Sequence, residues 1–125
     1  MASAFGFEEE TAAYCSLINL PAKYLPPNKP PHDIAFLTDL HTHTISTAPY
    51  ENLSLHYSKE KKVTLDPQEL YRKIVCDGRG RGGYCMELSL LHMHVLRGLG
   101  FTTYTAGVRT RDRKDGIPQG DYVGW

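Results

Sequence analysis

The residues best suited to chemistry lie in a glycine-rich turn, residues 78–84, that leads directly into Cys85. Glycine adopts backbone angles that other residues resist, so the chain can turn sharply and pack closely there. Apolar residues then recur at spacings of three and four, which predicts a helix that begins near Cys85. The free amides and positive dipole end of a helix start favour a thiolate, and Arg79 and Arg81 lie close by in sequence. The pattern predicts a nucleophilic cysteine; a small residue packed at a helix start is the alternative.

A catalytic cysteine normally requires a histidine base and a group that orients this base. The six histidines include two pairs, at positions 41 and 43 and at positions 92 and 94, but none lies in an obvious partner motif. Residues two apart on a helix point in different directions, so neither pair can chelate a metal ion as a unit. No metal site is predicted. Glu51 and Arg81 are either surface charges or a buried pair that fixes the glycine turn.

Composition and charge exclude several classes of function. The chain has 125 residues, a single-domain length, and its 14 basic residues balance 14 acidic ones, so no overall field attracts nucleic acid or an anionic membrane. No apolar run approaches a bilayer-spanning length, and the acidic N-terminus does not resemble a signal peptide, so we expect a cytoplasmic protein. The three cysteines contain no C-x-x-C pair, which argues against a disulfide framework. Gly78, Gly80 and Gly83 match a dinucleotide-binding fingerprint, but a helix rather than a strand precedes them.

The elements before the glycine turn are predicted to be mainly helical. A short helix is expected over Glu8–Leu20, followed by an extended proline-rich connection, Pro21–Pro31. A second helix should begin near Asp33 and fade through Thr42–Thr47 before Pro49. Its expected apolar stripe is Ile34, Leu37, Leu40 and His41.

A third helix before the turn has a clear start signal. Asp66 is a predicted N-cap, Pro67 the first helical residue, and Glu69 stands three positions after the cap. This helix should bury Leu70, Ile74 and Tyr71 and end at Asp77-Gly78. Two further expectations precede it: a turn at Pro49–Leu53 and a brief strand at Val63–Leu65.

The pattern changes after the helix that carries Cys85, which should end at Gly98 or Gly100. From Phe101 onward apolar and polar residues alternate, which predicts a strand that contains Tyr104, Ala106, Val108 and Thr110. A charged turn is expected over Arg111–Gly120. Asp121–Trp125 then reads as the start of a returning strand, and a hairpin interrupted there indicates a shortened chain.

Two motifs resemble one known family. Arg81-Gly82-Gly83-Tyr84-Cys85, followed by Glu87-Leu88, looks like the active-site signature of the arylamine N-acetyltransferases, and Pro49-Tyr50-Glu51-Asn52-Leu53 is similar to their second hallmark. The resemblance extends from about Glu8 to the end of the chain with the elements in the same order. The charged segment Arg111–Gly120 resembles fungal members in particular. Ser89 stands where family members commonly have asparagine, a departure expected to affect packing behind the cysteine.

The resemblance implies a fold and a reaction. The fold class is α+β: a helical bundle over residues 1–100 that carries the catalytic cysteine, then the first strands of an incomplete β-barrel domain over residues 101–125. The reaction is a ping-pong transfer in which a cysteine takes an acetyl group from acetyl-CoA and passes it to an arylamine, arylhydrazine or N-hydroxyarylamine. Acetyl-CoA, or another short acyl-CoA, is thus a co-substrate, and no tightly bound cofactor is expected.

The resemblance also implies roles for single residues. Cys85 is the nucleophile, Arg81 and Glu51 form a structural ion pair beside it, and Tyr50 helps to form the acceptor pocket. A charged loop near the active site suits the phosphates of CoA, although a solvated turn is the alternative. The expected CoA contacts on this loop are Arg111, Arg113 and Lys114.

The family pairs its cysteine with a histidine and an aspartate, and the resemblance places both beyond Trp125. On this ground we expect the 125-residue chain alone to be inactive, because removing a triad base costs several orders of magnitude in rate. Two non-catalytic alternatives remain open at this point. In the first, the chain is a homologue that only binds CoA, small aromatics or a partner. In the second, it is a redox-sensing thiol protein.

Overall fold

The computed structural model describes residues 7–124 of the chain. Within this range the secondary structure is mixed, with helices first and short antiparallel strands last. The helices are α1 (Ala12–Leu17), α2 (Ile34–Thr47), α3 (Leu53–Tyr57), α4 (Pro67–Tyr71) and α5 (Cys85–Gly98). The strands are β1 (Arg109–Thr110), β2 (Arg113–Lys114), β3 (Ile117–Pro118) and β4 (Val123–Gly124). This content confirms the α+β class, while the β-barrel and the domain boundary at residue 100 stay predictions.

The first helical segment confirms the expectation for Glu8–Leu20. A π-helical turn, Phe7–Thr11, continues directly into α1. The side chains of Tyr14 and Cys15 on α1 are buried in the core. Burial raises the pKa of the Cys15 thiol to about 11, and it raises the pKa of Tyr14 to about 12 although the hydroxyl contacts Thr44 Oγ1 at 3.0 Å. Cys15 is therefore a protonated core residue at neutral pH.

The proline-rich connection is not extended throughout, so this part of the expectation is wrong. A 3₁₀-helical turn spans Ala22–Tyr24, directly after Pro21. Pro21 is the N-cap of this turn, and its carbonyl accepts a hydrogen bond of 2.9 Å from the Tyr24 amide, which closes the turn. Tyr24 is buried, packs its ring 4.7 Å from that of Phe36, and donates a hydrogen bond to Asp39 Oδ2 at 2.9 Å.

Helix α2 begins as predicted but buries different residues. Asp33 is its N-cap, and its Oδ1 accepts a hydrogen bond of 2.8 Å from the Phe36 amide. The residues that face the core are Phe36 and Leu40, which are fully buried, whereas Ile34 is 77% exposed and His41 is also exposed. Phe36 and Leu40 are four apart and share a helix face, while Ile34 lies two positions earlier and points elsewhere. The expected stripe was wrong at both ends.

The stretch between α2 and α4 contains a helix that was not predicted, directly after the expected turn, and no strand where one was expected. Helix α3 starts at Leu53, whose amide donates to Glu51 Oε2 at 2.5 Å and so has a partner at the helix start. Residues 63–65 are not a strand. Instead, Thr64 Oγ1 accepts a hydrogen bond of 3.1 Å from the Asp66 amide, which turns the chain into α4 rather than extending it.

Helix α4 confirms its predicted start signal. Asp66 Oδ1 accepts a hydrogen bond of 2.9 Å from the Glu69 amide, with Pro67 as the first helical residue. The helix continues through a π-helical turn, Arg72–Cys76, and ends at Asp77. Leu70 and Ile74 are buried, as expected, and Tyr71 is half-buried.

Helix α5 spans the predicted range and supplies much of the core. Leu91 and Val95 are fully buried in the hydrophobic cluster, and Leu99 follows at the end of the same face. Gly100 has a φ of +94°, and the next amide, of Phe101, donates back to the Leu96 carbonyl at 2.9 Å. This geometry is a glycine C-cap, and it ends the helix.

The last described residues form a nested antiparallel hairpin. Strand β1 pairs with β4, and β2 pairs with β3 across a turn at Asp115-Gly116, where both residues have positive φ. The returning strand is confirmed at Val123–Gly124; Trp125 lies outside the described residues. The strand predicted from Phe101 forms only at Arg109–Thr110, because the preceding residues have no partner strand in the described chain.

Candidate functional site

The glycine turn packs directly on the Pro49–Leu53 segment. The Gly83 amide donates to the Pro49 carbonyl and the Glu51 amide donates to the Gly83 carbonyl, both at 3.2 Å, which makes a short parallel bridge. At Gly82 a Cβ atom would lie 1.8 Å from the Pro49 oxygen. Only glycine allows the two segments to approach this closely. The contact therefore joins the Pro49–Leu53 motif to the motif that contains Cys85.

Arg81 and Glu51 form an ion pair at this junction. Arg81 Nε lies 2.9 Å from Glu51 Oε1, and Arg81 Nη2 donates to Ser54 Oγ at 3.1 Å. Glu51 also accepts from the amides of Gly82 at 3.2 Å and Leu53 at 2.5 Å. Partial burial alone would raise the pKa of Glu51, but the hydrogen bonds from Arg81 and the two amides outweigh it and hold the pKa below its ordinary value.

A second, more deeply buried ion pair fixes the start of α5. Glu87 is only 1% exposed, and its Oε2 accepts a hydrogen bond of 2.9 Å from the Tyr84 amide. Its other oxygen lies 2.7 Å from Lys73 Nζ, on the turn that follows α4. A Cβ at Gly83 would lie 2.5 Å from Glu87 Oε2. The carboxylate therefore links the glycine turn, α5 and the end of α4.

Neither Glu87 nor Lys73 was assigned a role from the sequence. A signal for Glu87 was present, because a glutamate at the third helical position often reaches back to the amide before the helix. No comparable signal identifies Lys73, which stands 14 residues away in the chain.

Cys85 is the first residue of α5, and it is exposed. It lines a cleft of about 620 Å³ between the start of α5 and the chain that leads into β1. We call this the Cys85 cleft. Its lining residues are Leu65, Cys85, Met86, Ser89, Leu90, Thr105, Ala106, Gly107, Val108 and Arg109.

The Cys85 cleft differs from the expectations in two respects. Ser89 is exposed and lines the cleft one helical turn after the cysteine, so the expectation that it packs behind the cysteine is wrong. Tyr50 is 66% exposed and contacts the Tyr84 ring at 5.7 Å, but it does not line the cleft.

The expected CoA contacts are on the hairpin and are all exposed. Arg111 donates to the Gly120 carbonyl at 2.7 Å, and its guanidinium lies 5.3 Å from the centre of the Tyr122 ring. Arg113 and Lys114 form β2. None of these three residues lines the Cys85 cleft, but Arg109 does.

No histidine lines the Cys85 cleft in the part of the chain that the structure describes. His32 contacts the Leu99 carbonyl and His43 the Ile18 carbonyl, each at 2.9 Å. Burial lowers the pKa of His92, and nearby His41 lowers it further. Between residues 7 and 124, no group of three or more His, Cys, Asp or Glu side chains could hold a metal ion.

The described helices are also too short or too polar to cross a membrane.

Comparison with known proteins identifies the family. The profile of the N-acetyltransferase family matches residues 33–121. The N-malonyltransferase FDB2 of Gibberella moniliformis is 41% identical over 95 residues, which cover 71% of this chain and 26% of that protein. The arylamine N-acetyltransferase pineal gland isozyme NAT-10 of Gallus gallus is 43% identical over 75 residues, covering 60% and 24% of the two chains. The chain thus spans about a quarter of the length of these relatives. It belongs to the arylamine N-acetyltransferase family.

Proposed function

We propose that the polypeptide made from the natural gene transfers an acyl group from an acyl-CoA to an arylamine or arylhydrazine through a thioester on Cys85. In the first half-reaction the Cys85 sulfur bonds to the acyl carbon, the bond from that carbon to the CoA sulfur breaks, and CoA leaves with the thiol proton. In the second, the amine nitrogen bonds to the acyl carbon, the bond from that carbon to the Cys85 sulfur breaks, and a proton lost by the amine restores the cysteine thiol. The acyl group is acetyl or malonyl, the two groups in the relatives' names.

The observation that carries this proposal is the position of Cys85. Its thiol is exposed at the first residue of a 14-residue helix, where an acyl donor has access to the sulfur. The adjoining cleft is large enough to receive a small acyl group and is lined mainly by apolar atoms.

The supporting residues act on the position of the cysteine rather than on the substrate. Arg81 and Glu51 hold the glycine turn against the Pro49–Leu53 segment, so they fix where α5 begins. Tyr50 lies at the same junction and is assigned to the acceptor amine. Arg111, Arg113 and Lys114 stay candidates for the CoA phosphates, which lie far from the acyl carbon in the donor. The base that accepts the thiol proton stays an expectation from the family resemblance.

The test is acyl transfer to the protein itself. The natural polypeptide is mixed with acetyl-CoA or malonyl-CoA without an amine, and intact-mass spectrometry is used to detect addition of one acyl group. Cys85→Ser should abolish the adduct, whereas Cys76→Ser, which removes another exposed thiol, should retain it. Binding of CoA without an adduct in the unmodified protein would instead support a non-catalytic homologue.

A further inference from the structure

Arg109 has an unusual position in the Cys85 cleft. It is the one charged residue among the described residues that line the cleft; the others are apolar residues, a glycine, two residues with hydroxyl groups and Cys85. Its place in β1 is fixed by antiparallel pairing with Gly124. The hairpin thus places Arg109 in the lining of the cleft that also contains Cys85.

Arg109 also lacks a partner within the described chain. Arg81, Arg97 and Arg111 each donate a side-chain hydrogen bond to a named group, but no ion pair or side-chain hydrogen bond joins Arg109 to a described residue. Among the residues that the structure describes, its donors are thus left for a ligand. A guanidinium presents a planar fork that matches a carboxylate, and the Arg109 side chain is exposed, so this fork is accessible to a ligand.

We infer that Arg109 selects acyl groups that end in a carboxylate, by pairing with that carboxylate while the acyl carbon is bonded to Cys85. The inference rests on the proposed function and names the acyl class of the same site. In a malonyl thioester one methylene separates the carboxylate from the acyl carbon, so both ends of the group fit within the cleft that Cys85 and Arg109 share. An acetyl group offers Arg109 no anion.

The phosphates of CoA are the other source of an anion for this side chain. They lie at the far end of the donor from the thioester, whereas Arg109 lines the same cleft as the sulfur that receives the acyl group. This location favours the acyl carboxylate over a phosphate.

The test compares two donors in the natural polypeptide and its Arg109→Met variant. The measurement is the second-order rate of acyl addition to Cys85 with acetyl-CoA and with malonyl-CoA. We expect Arg109→Met to lower the malonyl rate by about tenfold or more, the loss of a hydrogen bond to a charged group, and to leave the acetyl rate within about twofold. Arg109→Lys should recover part of the malonyl rate. Arg72→Met, an exposed arginine outside the cleft, should change neither rate.

Each other outcome overturns the inference. Equal losses with both donors would assign Arg109 to the CoA phosphates, and an unchanged ratio of the two rates would leave it without a ligand role. Thioesters of N-acetylcysteamine, which lack phosphate, provide a second arm in which the preference for malonyl should persist in the unmodified protein. Absence of any Cys85 adduct in the unmodified protein would instead overturn the proposed function itself. Circular dichroism of each variant reports separately that it is folded.

Discussion

Gly82 shows how one residue type can determine the position of a reactive group. Its α-carbon faces the Pro49 carbonyl so closely that any side chain would overlap backbone atoms. Those atoms belong to the bridge between Tyr50 and Gly83, and Gly83 lies two positions before the first residue of α5. A larger residue at position 82 must therefore displace either the Pro49–Leu53 segment or the start of the cysteine helix.

The first prediction follows from this contact. Gly82→Ala should lower the free energy of unfolding by about 1–3 kcal/mol, the range for inserting a methyl group into a packed site. Gly107→Ala is the matched control, because no atom lies within 4 Å of the added methyl, and it should change stability by less than about 0.5 kcal/mol. Urea denaturation of the three proteins measures both values. Equal stability of the two variants would contradict the role assigned to Gly82.

The second prediction concerns Glu51 and pH. Its pKa in the folded chain lies below the ordinary value of 4.5, so its contribution to stability is fully present above that value. As pH falls below 4.5, the unfolded chain binds the proton first, and the contribution declines until the folded carboxyl is also protonated. The stability difference between the unmodified chain and Glu51→Gln should therefore shrink with acidification through this window. Urea denaturation at several pH values tests it, and a difference that does not vary with pH would refute it.

At the scale of elements, the start of α5 depends on contacts from other parts of the chain. Lys73 reaches Glu87 from the turn after α4, and the Glu87 carboxylate is almost completely buried. A short stretch of sequence therefore does not by itself determine where this helix begins. The same buried carboxylate also contacts the glycine turn, so three elements share one polar group.

The third prediction tests this shared group. Lys73→Met leaves the Glu87 carboxylate buried without a countercharge and should lower the free energy of unfolding by about 3–5 kcal/mol. Adding Glu87→Gln to Lys73→Met should recover part of that loss. Lys23→Met is the control, because Lys23 Nζ lies 3.9 Å from Asp39 Oδ2 with both side chains well exposed, and such surface pairs contribute about 0–1 kcal/mol. If the two single variants lose equal stability, the Glu87 pair is not buried as described.

The elements that sequence predicts well are those with local signals. Asp33 and Asp66 each accept a hydrogen bond from the amide three residues later. Both helix starts were predicted, the first from an aspartate before an apolar stripe and the second from an aspartate followed by Pro67 and Glu69. Helix α3 was not predicted because its first amide donates a hydrogen bond to Glu51. The position of that carboxylate depends on its ion pair with Arg81, which is 30 positions away in the chain. The strand expected from Phe101 was too long because pairing, rather than alternation, decides where a strand forms.

The candidate site also contains one residue that local sequence signals identify and one that they do not. Cys85 could be identified as a potential nucleophile from the glycines before it and the apolar pattern after it. Arg109 could not be placed beside it, because 24 residues and a change of secondary structure separate the two positions. Only the packing of the segment before β1 against the start of α5 forms the cleft that they share.

At the scale of the whole molecule, the chain has a helical core and a hairpin that adds little to it. The buried apolar cluster is drawn from the helices and their connections, from Tyr14 to Leu99, with Phe101 packed against its edge. Residues 104–122 are exposed throughout. The hairpin strands pair with each other rather than with a helix.

The fourth prediction follows from this division. Amide hydrogens of residues 104–122 should exchange by local opening, orders of magnitude faster than those in the middle of α5, which require larger unfolding. Hydrogen–deuterium exchange of the 125-residue chain, read by mass spectrometry of peptides, measures both regions. Comparable protection of the hairpin and of α5 would show that the hairpin packs more firmly than its exposure indicates.

The bridge between Tyr50 and Gly83 has a consequence for how such a chain can diversify. It closes the segment from Glu51 to Gly82 into a loop whose two ends are fixed to each other. Residues 59–62 on this loop are exposed, and the free-energy cost of closing a longer loop grows only slowly with length. Insertions there would therefore leave the register of α5 unchanged. This segment can gain or lose length during evolution while the cysteine stays in place.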